Sequence, residues 1–239
     1  MSRLLNAVLE AHGGIDRWNR FSQVEATIVT DGQFWKMKSV EQDQDPRRLT
    51  ARLHEQRAFL APFGDPDWHL DFAPEHVAIM ASDGAAVIRI DNPRASFSGH
   101  GMRTPWEPLQ RAYFSGYALW TYLGTPFVLA RDDVEVTEIE PWTEAGETWQ
   151  VLRARFPDAI ATHSTTQDFF FGDDFLLRRH DYNVDVAGGF DASQLVFDYI
   201  IADGIRLPGR RRAYTRNADR NPVLDPLMVS IDISEVRFS

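Results

Sequence analysis

One stretch in the middle of this 239-residue sequence, TPWEPLQRAYFSGYALWTYLGTPFVLAR, constrains the fold more than any other because it is the one long helical pattern. Thr104 and Glu107 form a capping-box pattern, with Pro105 at the first helical position. Gly124 predicts the end of the main helix, and a further helical turn follows it. We therefore predict a central helical segment over residues 105–130.

The predicted helix carries more aromatic surface than a helix can leave in water. Each of its aromatic rings would bury about 150 to 250 Å². The rings belong to Trp106, Tyr113, Phe114, Tyr117, Trp120 and Tyr122. Ser115, Gly124 and Pro126 interrupt the uncharged stretch, which disfavours a membrane span. We expect the helix to fill the concave side of a curved sheet, or to line a ligand cavity beside it.

The rest of the chain has the short alternating runs and the turn residues that are typical of strands. Strand patterns occupy residues 23–91 and 133–238, with an N-terminal helix at 3–12. The Asp31-Gly32 pair predicts a hairpin between Gln23–Thr30 and Gln33–Val40. The pattern predicts one domain over residues 1–239, in the α+β class and mostly antiparallel β. Its sheet would be an unclosed half-barrel of about 11 to 13 strands, with the aromatic helix on the concave face.

Charge and composition exclude several classes of protein. The chain has 25 Lys and Arg against 35 Asp and Glu, a formal charge of -10, which argues against nucleic-acid binding. It has no cysteine, so thiolate chemistry and disulfides are excluded. Residues 1–14 are amphipathic and lack the apolar core of a signal peptide. We expect a cytoplasmic protein without stable membrane insertion.

A second hairpin, FFFGDDFLLRRHDYNV, makes a prediction about the polar residues around it. A three-residue loop would place Phe171 opposite Phe175. That register places His163 opposite Asn183, on one face with Asp181 and Asp185, while His180 lies on the other face.

This polar cluster has two interpretations. His163 with Asp181 or Asp185 could be an acid/base pair, or the polar end of a binding site. The alternative is a solvated rim or a structural hydrogen-bond cluster. The sequence contains no GxSxG, HExxH or dinucleotide pattern, and the remaining histidines lack ligand spacing, so we predict no metal and no cofactor.

Several stretches resemble a family of uncharacterised bacterial proteins whose architecture is similar to the LolA/LolB lipoprotein-carrier fold. They are YFSGYALWTYLGTPFVLA, DFFFGDDFLLRRHDYNVDVAGG, DGIRLPGRRRAY and VSIDISEV. The resemblance implies an unclosed antiparallel barrel with helices on its concave face, which in the carriers holds acyl chains. The chain lacks the lipobox cysteine of the carriers.

The leading functional prediction is non-enzymatic binding of a hydrophobic or amphipathic, lipid-like small molecule in a half-barrel cavity. Tyr113, Tyr117 and Trp120 would contact the apolar part. His163, Asp181 and Asn183 would contact the polar end. Two alternatives stay open: a small acid/base enzyme that uses His163 with Asp181 or Asp185, and an oligomeric scaffold subunit whose helix face is the interface.

Overall fold

The computed structural model describes residues 2–144 and 146–239. Within them, the α-helices are α1 (Arg3–Ala11), α2 (Ile15–Trp18), α3 (Gln33–Met37) and α4 (Pro108–Gly124). Single turns of 3-10 helix lie at Pro93–Phe97, Phe127–Ala130 and Asp185–Ala187. The predicted N-terminal helix therefore ends one residue early, and its apolar face, formed by Leu4, Leu5, Val8 and Leu9, is buried.

The described residues form fourteen strands, which belong to one antiparallel sheet. They are β1 (Gln23–Asp31), β2 (Arg47–Arg52), β3 (Ala58–Ala61), β4 (Trp68–Ala73), β5 (His76–Ala81), β6 (Ala86–Asp91), β7 (Glu135–Glu144), β8 (Glu147–Arg155), β9 (Thr166–Phe171), β10 (Leu177–Val184), β11 (Phe190–Ala202), β12 (Ile205–Arg216), β13 (Pro222–Val223) and β14 (Val229–Phe238).

The strand order explains why a helix must cross the sheet. The order is β6-β5-β4-β3-β2-β1-β14-β12-β11-β10-β9-β8-β7, with the two-residue β13 beside β12. Strands β6 and β7 are consecutive in the chain but lie at opposite edges. The segment between them, which contains α4, therefore passes over one face and packs against β2 to β6. The sheet is unclosed, and the predicted mostly antiparallel half-barrel is confirmed.

The central helix is shorter than its predicted range. It begins at Pro108, with Glu107 as the N-cap, because the backbone N–H of Glu107 donates to Gln110 Oε1 at 2.9 Å. The helix ends because Thr125, which precedes Pro126, is extended. From Leu109 to Gly124 every residue is buried. None of the helices in the described residues combines the length and apolar character needed to cross a membrane.

The hairpin predicted at Asp31-Gly32 is wrong. Gln33–Met37 forms α3, and β1 pairs instead with β2 and with the C-terminal β14. The physical reason is that Phe34 and Trp35 are both buried, which two successive residues of a half-buried strand cannot be. Gly32 has a φ of 129° and lies so close to Met228 that a Cβ atom would be 2.2 Å from its carbonyl oxygen.

Candidate ligand-binding site

A cavity of about 40 Å³ lies between α4 and the middle strands of the sheet. Its wall comes from α3, α4, β1, β2, β10, β11, β12 and β14. The residues that line it are Thr30, Phe34, Trp35, Gln42, Arg47, Phe114, Ser115, Ala118, Leu119, Tyr122, Tyr182, Val184, Phe190, Ala192, Ala213, Tyr214, Met228, Val229 and Ile231. Most of this lining is apolar, and Gln42, Phe190, Tyr214 and Val229 are partly exposed at its mouth.

The helix side of the cavity combines two small side chains with three large ones. Phe114, Ser115, Ala118, Leu119 and Tyr122 line it. Positions 115, 118 and 122 follow one another at spacings of three and four, so they lie along one side of the helix. Ser115 and Ala118 are too small to fill the gap between the helix and the sheet.

A buried hydrogen-bond network lies at the inner end of the cavity. Tyr122 Oη lies 2.6 Å from His163 Nε2 and 3.2 Å from Tyr182 Oη. Tyr117 Oη lies 3.2 Å from His163 Nδ1, and the rings of His163 and Tyr182 stack at 4.0 Å. Of these four residues, Tyr122 and Tyr182 line the cavity.

Burial keeps this network uncharged. Desolvation, followed by the charge of Arg94, lowers the pKa of His163 to about 3. Desolvation also raises the pKa of Tyr122 to about 12. A neutral imidazole has one donor and one acceptor nitrogen, so His163 donates to one of its two tyrosines and accepts from the other. With a side chain this buried and this weakly basic, His163 is poorly suited to act as a general base near neutral pH.

The predicted acid/base pair is not formed. Asp181 binds Arg179 in a bidentate pair with distances of 2.6 and 2.7 Å. The carboxylate of Asp185 pairs with Arg94 at 3.1 Å, and its backbone N–H donates to the carbonyl oxygen of His163. Neither carboxylate orients the imidazole of His163.

Of the six predicted site residues, Tyr117 and His163 are hydrogen-bonded to each other. The ring of Tyr113 lies 5.3 Å from that of Tyr117 and faces a separate polar cavity of about 360 Å³, which Arg94 also lines. Trp120 Nε1 donates to the carbonyl oxygens of Arg52 and Glu55.

The side chains of Asp181 and Asn183 form hydrogen bonds with residues other than His163. Asn183 donates to the carbonyl oxygen of Gly189 and to Asp191. None of the six predicted residues lines the 40 Å³ cavity, and their role in ligand binding stays a prediction.

The predicted register of the second hairpin is wrong, which explains the misplaced residues. Phe171 pairs with Leu177 across a five-residue loop, and the pairing shifts by one residue before Arg179. His180 therefore pairs with Phe169 and lies on the same side as His163, with Tyr182 between them. The same shift places Asp181 on the opposite face.

The depressed pKa of His163 makes a prediction about acid stability. In the unfolded chain the pKa of this histidine is near 6.5. Below that pH the imidazole is protonated in the unfolded state but stays neutral in the folded state. Stability is therefore lost as the pH falls from 6.5 toward 3, by about 2 kcal/mol at pH 5.

The test is the pH dependence of the free energy of unfolding, measured by urea titration between pH 6.5 and pH 5. His163→Gln should make this dependence less steep. His54→Gln, at an exposed position, is the matched control and should leave it unchanged. An equal slope in the wild type and His163→Gln would contradict the prediction.

Comparisons with known proteins identify the fold. No protein-family model and no curated protein sequence matches the chain. A DUF1329 family protein from Desulfovibrio piger is 10% identical, with a TM-score of 0.57 over 99% of this chain and 92% of that one. A LolA superfamily protein from Nitrosomonas europaea is 12% identical, with a TM-score of 0.52 over 98% and 92%.

A third structure is a Vibrio parahaemolyticus domain described provisionally as an outer membrane lipoprotein-sorting protein. It is 11% identical, with a TM-score of 0.54 over 98% of this chain and 92% of that one. At these identities the likeness concerns the fold alone. The chain has a LolA-like fold, and the predicted resemblance of architecture is confirmed.

Proposed function

We propose that this protein is a non-enzymatic binding protein that holds a hydrophobic or amphipathic, lipid-like small molecule between α4 and the sheet. The observation that carries the proposal is the largely apolar cavity between α4 and the middle strands of the sheet, which opens beside the small side chains of Ser115 and Ala118. Buried apolar space is costly to leave empty, and such cavities take up apolar molecules. The LolA-like fold, which a protein described as sorting lipoproteins shares, supports the same class of ligand.

The size of the cavity implies that a ligand must widen it. A volume of about 40 Å³ has room for a few methylene groups, which is less than a lipid-like chain needs. One wall is α3 with residues 38–46, and none of these residues belongs to a strand. This wall can move without breaking a strand pair, so we propose that the ligand enters beside Gln42 and displaces it.

Filling the cavity with a protein side chain should block the ligand. Ala118→Leu adds three carbon atoms that point from α4 into the cavity, and the loss of three buried methylene contacts corresponds to roughly 50-fold weaker binding. The measurement is calorimetric titration with decanol. Ala86→Leu, on the exposed strand β6, is the matched control and should bind decanol like the wild type.

Native mass spectrometry of the purified protein, with organic extraction, complements the titration. A co-purifying lipid or apolar metabolite would identify the class of ligand directly. Wild-type protein that binds neither decanol nor any extracted molecule would contradict the proposed function. Unchanged decanol affinity in Ala118→Leu would show that binding occurs elsewhere.

The alternatives are less well supported. An acid/base enzyme would need His163 to pair with Asp181 or Asp185, but both carboxylates bind arginines instead. A scaffold subunit could not use the face of α4 as an oligomer interface, because the helix is buried within its own chain. Oligomerisation through another surface and the cytoplasmic location stay predictions, which sedimentation at micromolar concentration and cell fractionation would test.

A further inference from the structure

An excess of positive charge lies beside the cavity at Arg47, which is the one member of the charged cluster that lines it. Asp43 Oδ2 lies 3.1 Å from Arg47 Nη1 and 3.1 Å from Arg111 Nη2. Among the ion pairs of the described residues, Asp43 is the one carboxylate that contacts either arginine. Two guanidinium groups and one carboxylate leave this cluster with a charge of +1. The side chains of Arg47 and Arg111 are 1% and 7% exposed, so solvent screens that charge poorly.

Polar atoms without hydrogen-bond partners belong to residues that line the cavity together with Arg47. Within the described residues, Trp35 Nε1, Arg47 Nε and Gln42 Oε1 are buried and have no hydrogen-bond partner. All three residues line the cavity. Buried polar groups are nearly always hydrogen-bonded, so two orphaned donors beside an uncompensated charge indicate an absent acceptor.

The other contacts of Arg47 hold its guanidinium in place. Its Nη1 donates to Asp43, and its Nη2 donates to Thr30 Oγ1, which also accepts a hydrogen bond from Gln42 Nε2. Of the three guanidinium nitrogens, Nε is the one without a hydrogen-bond partner among the described residues. Burial, partly offset by Asp43, lowers the pKa of Arg47 to about 10, so the side chain keeps its charge at neutral pH.

We infer that the ligand is an amphipathic monoanion whose carboxylate accepts hydrogen bonds from Trp35 Nε1 and Arg47 Nε. Its single charge neutralises the cluster, and its two oxygens match the two orphaned donors. The apolar chain runs from this end along Phe114, Leu119 and Ile231. This inference rests on the proposed function, because it names the head group of a ligand in the same cavity.

Three probes with the same ten-carbon chain test the inference: decanoate, decanol and decylammonium, each titrated calorimetrically at pH 7.5. Decanoate should bind at least about tenfold more tightly than decanol, as expected for hydrogen bonds to a charged group. Decylammonium should bind more weakly than decanol. Arg47→Met removes the excess charge and should abolish the preference for decanoate over decanol.

Trp35→Phe is a more conservative substitution, which tests the inference if Arg47→Met fails to fold. Trp35→Phe removes the indole N–H and should lower the affinity for decanoate about tenfold, with that for decanol unchanged. Trp106→Phe is the matched control, because Trp106 Nε1 is also buried and unpartnered among the described residues but does not line the cavity. It should change neither affinity.

The outcomes separate the two proposals. If no probe binds the wild type, both the proposed function and this inference fail. If decanoate and decanol bind equally, or decylammonium binds best, the binding function stands and the carboxylate inference is overturned. A loss of decanoate preference in Trp106→Phe but not in Trp35→Phe would also overturn it.

Discussion

Replacing Gly116 with alanine should lower the free energy of unfolding by about 2 to 3 kcal/mol. Gly116 lies where α4 packs against β4, and a Cβ atom there would lie 2.3 Å from Phe72 Cγ and 2.5 Å from Phe72 Cβ. The ring of Phe72 is fully buried, so it cannot turn aside into solvent. The helix propensity of alanine offsets at most about 1 kcal/mol of this cost.

Urea unfolding monitored by tryptophan fluorescence measures the effect, which corresponds to a fall in Tm of roughly 4 to 12 °C. Gly124→Ala is the matched control, because the nearest atom to its new Cβ is Val128 Cβ at 3.9 Å. That variant should be as stable as the wild type or slightly more stable.

A second substitution shows whether the aromatic ring is the cause. Phe72→Leu in the Gly116→Ala background should make the alanine less destabilising than it is opposite Phe72. Wild-type stability of Gly116→Ala alone would mean that the helix does not approach β4 this closely.

The layout of the fold follows from local patterns in the sequence. β1 alternates between half-buried and buried residues over Gln23–Thr30, as a strand with one face on a core must. The aromatic residues indicate the central helix, but its cap lies at Glu107, three residues after the predicted cap at Thr104. The position of the helix on the concave face of the sheet was also predictable, because its aromatic surface must be buried against another element.

Strand pairing is less accessible to local reasoning. β14 inserts between β1 and β12, and no nearby turn in the sequence indicates a contact between the two ends of the chain. The Asp31-Gly32 pair suggested a hairpin, but the adjacent bulky residues Phe34 and Trp35 were the better signal for a helical turn.

The predicted site residues of α4 do not line the cavity between α4 and the middle strands. The prediction chose the large rings of Tyr113, Tyr117 and Trp120. Large rings fill the space around a helix, however, and the cavity lies beside the small side chains of Ser115 and Ala118. The spacing of these two small residues among aromatics was the available signal. The polar end depends on Arg47 and Trp35, whose approach to α4 follows from tertiary packing alone.

Replacing Asp181 with asparagine should strongly lower the free energy of unfolding. The same variant tests whether Asp181, which the sequence predicts to bind the ligand, has a structural role instead. Its carboxylate is 2% exposed and accepts two hydrogen bonds from Arg179, one from Ser193 and one from Arg216. Asp181→Asn would leave Arg179, which is fully buried, without its bidentate partner. Removing one member of a buried pair costs about 3 to 5 kcal/mol of unfolding free energy, and because Arg179 keeps Glu144 as a second carboxylate partner at 2.5 Å, we expect a loss of about 3 kcal/mol.

The control is Asp232→Asn, because Asp232 pairs with Arg212 but is 55% exposed. Exposed ion pairs contribute at most about 1 kcal/mol, so this variant should unfold near the wild-type urea concentration.

Decanoate binding by Asp181→Asn, measured at a temperature where it is folded, decides the role of the residue. Because Asp181 does not line the cavity, the folded variant should bind decanoate with wild-type affinity. A variant of wild-type stability that has lost decanoate binding would instead place Asp181 at the ligand, as the hairpin register predicted from the sequence implied.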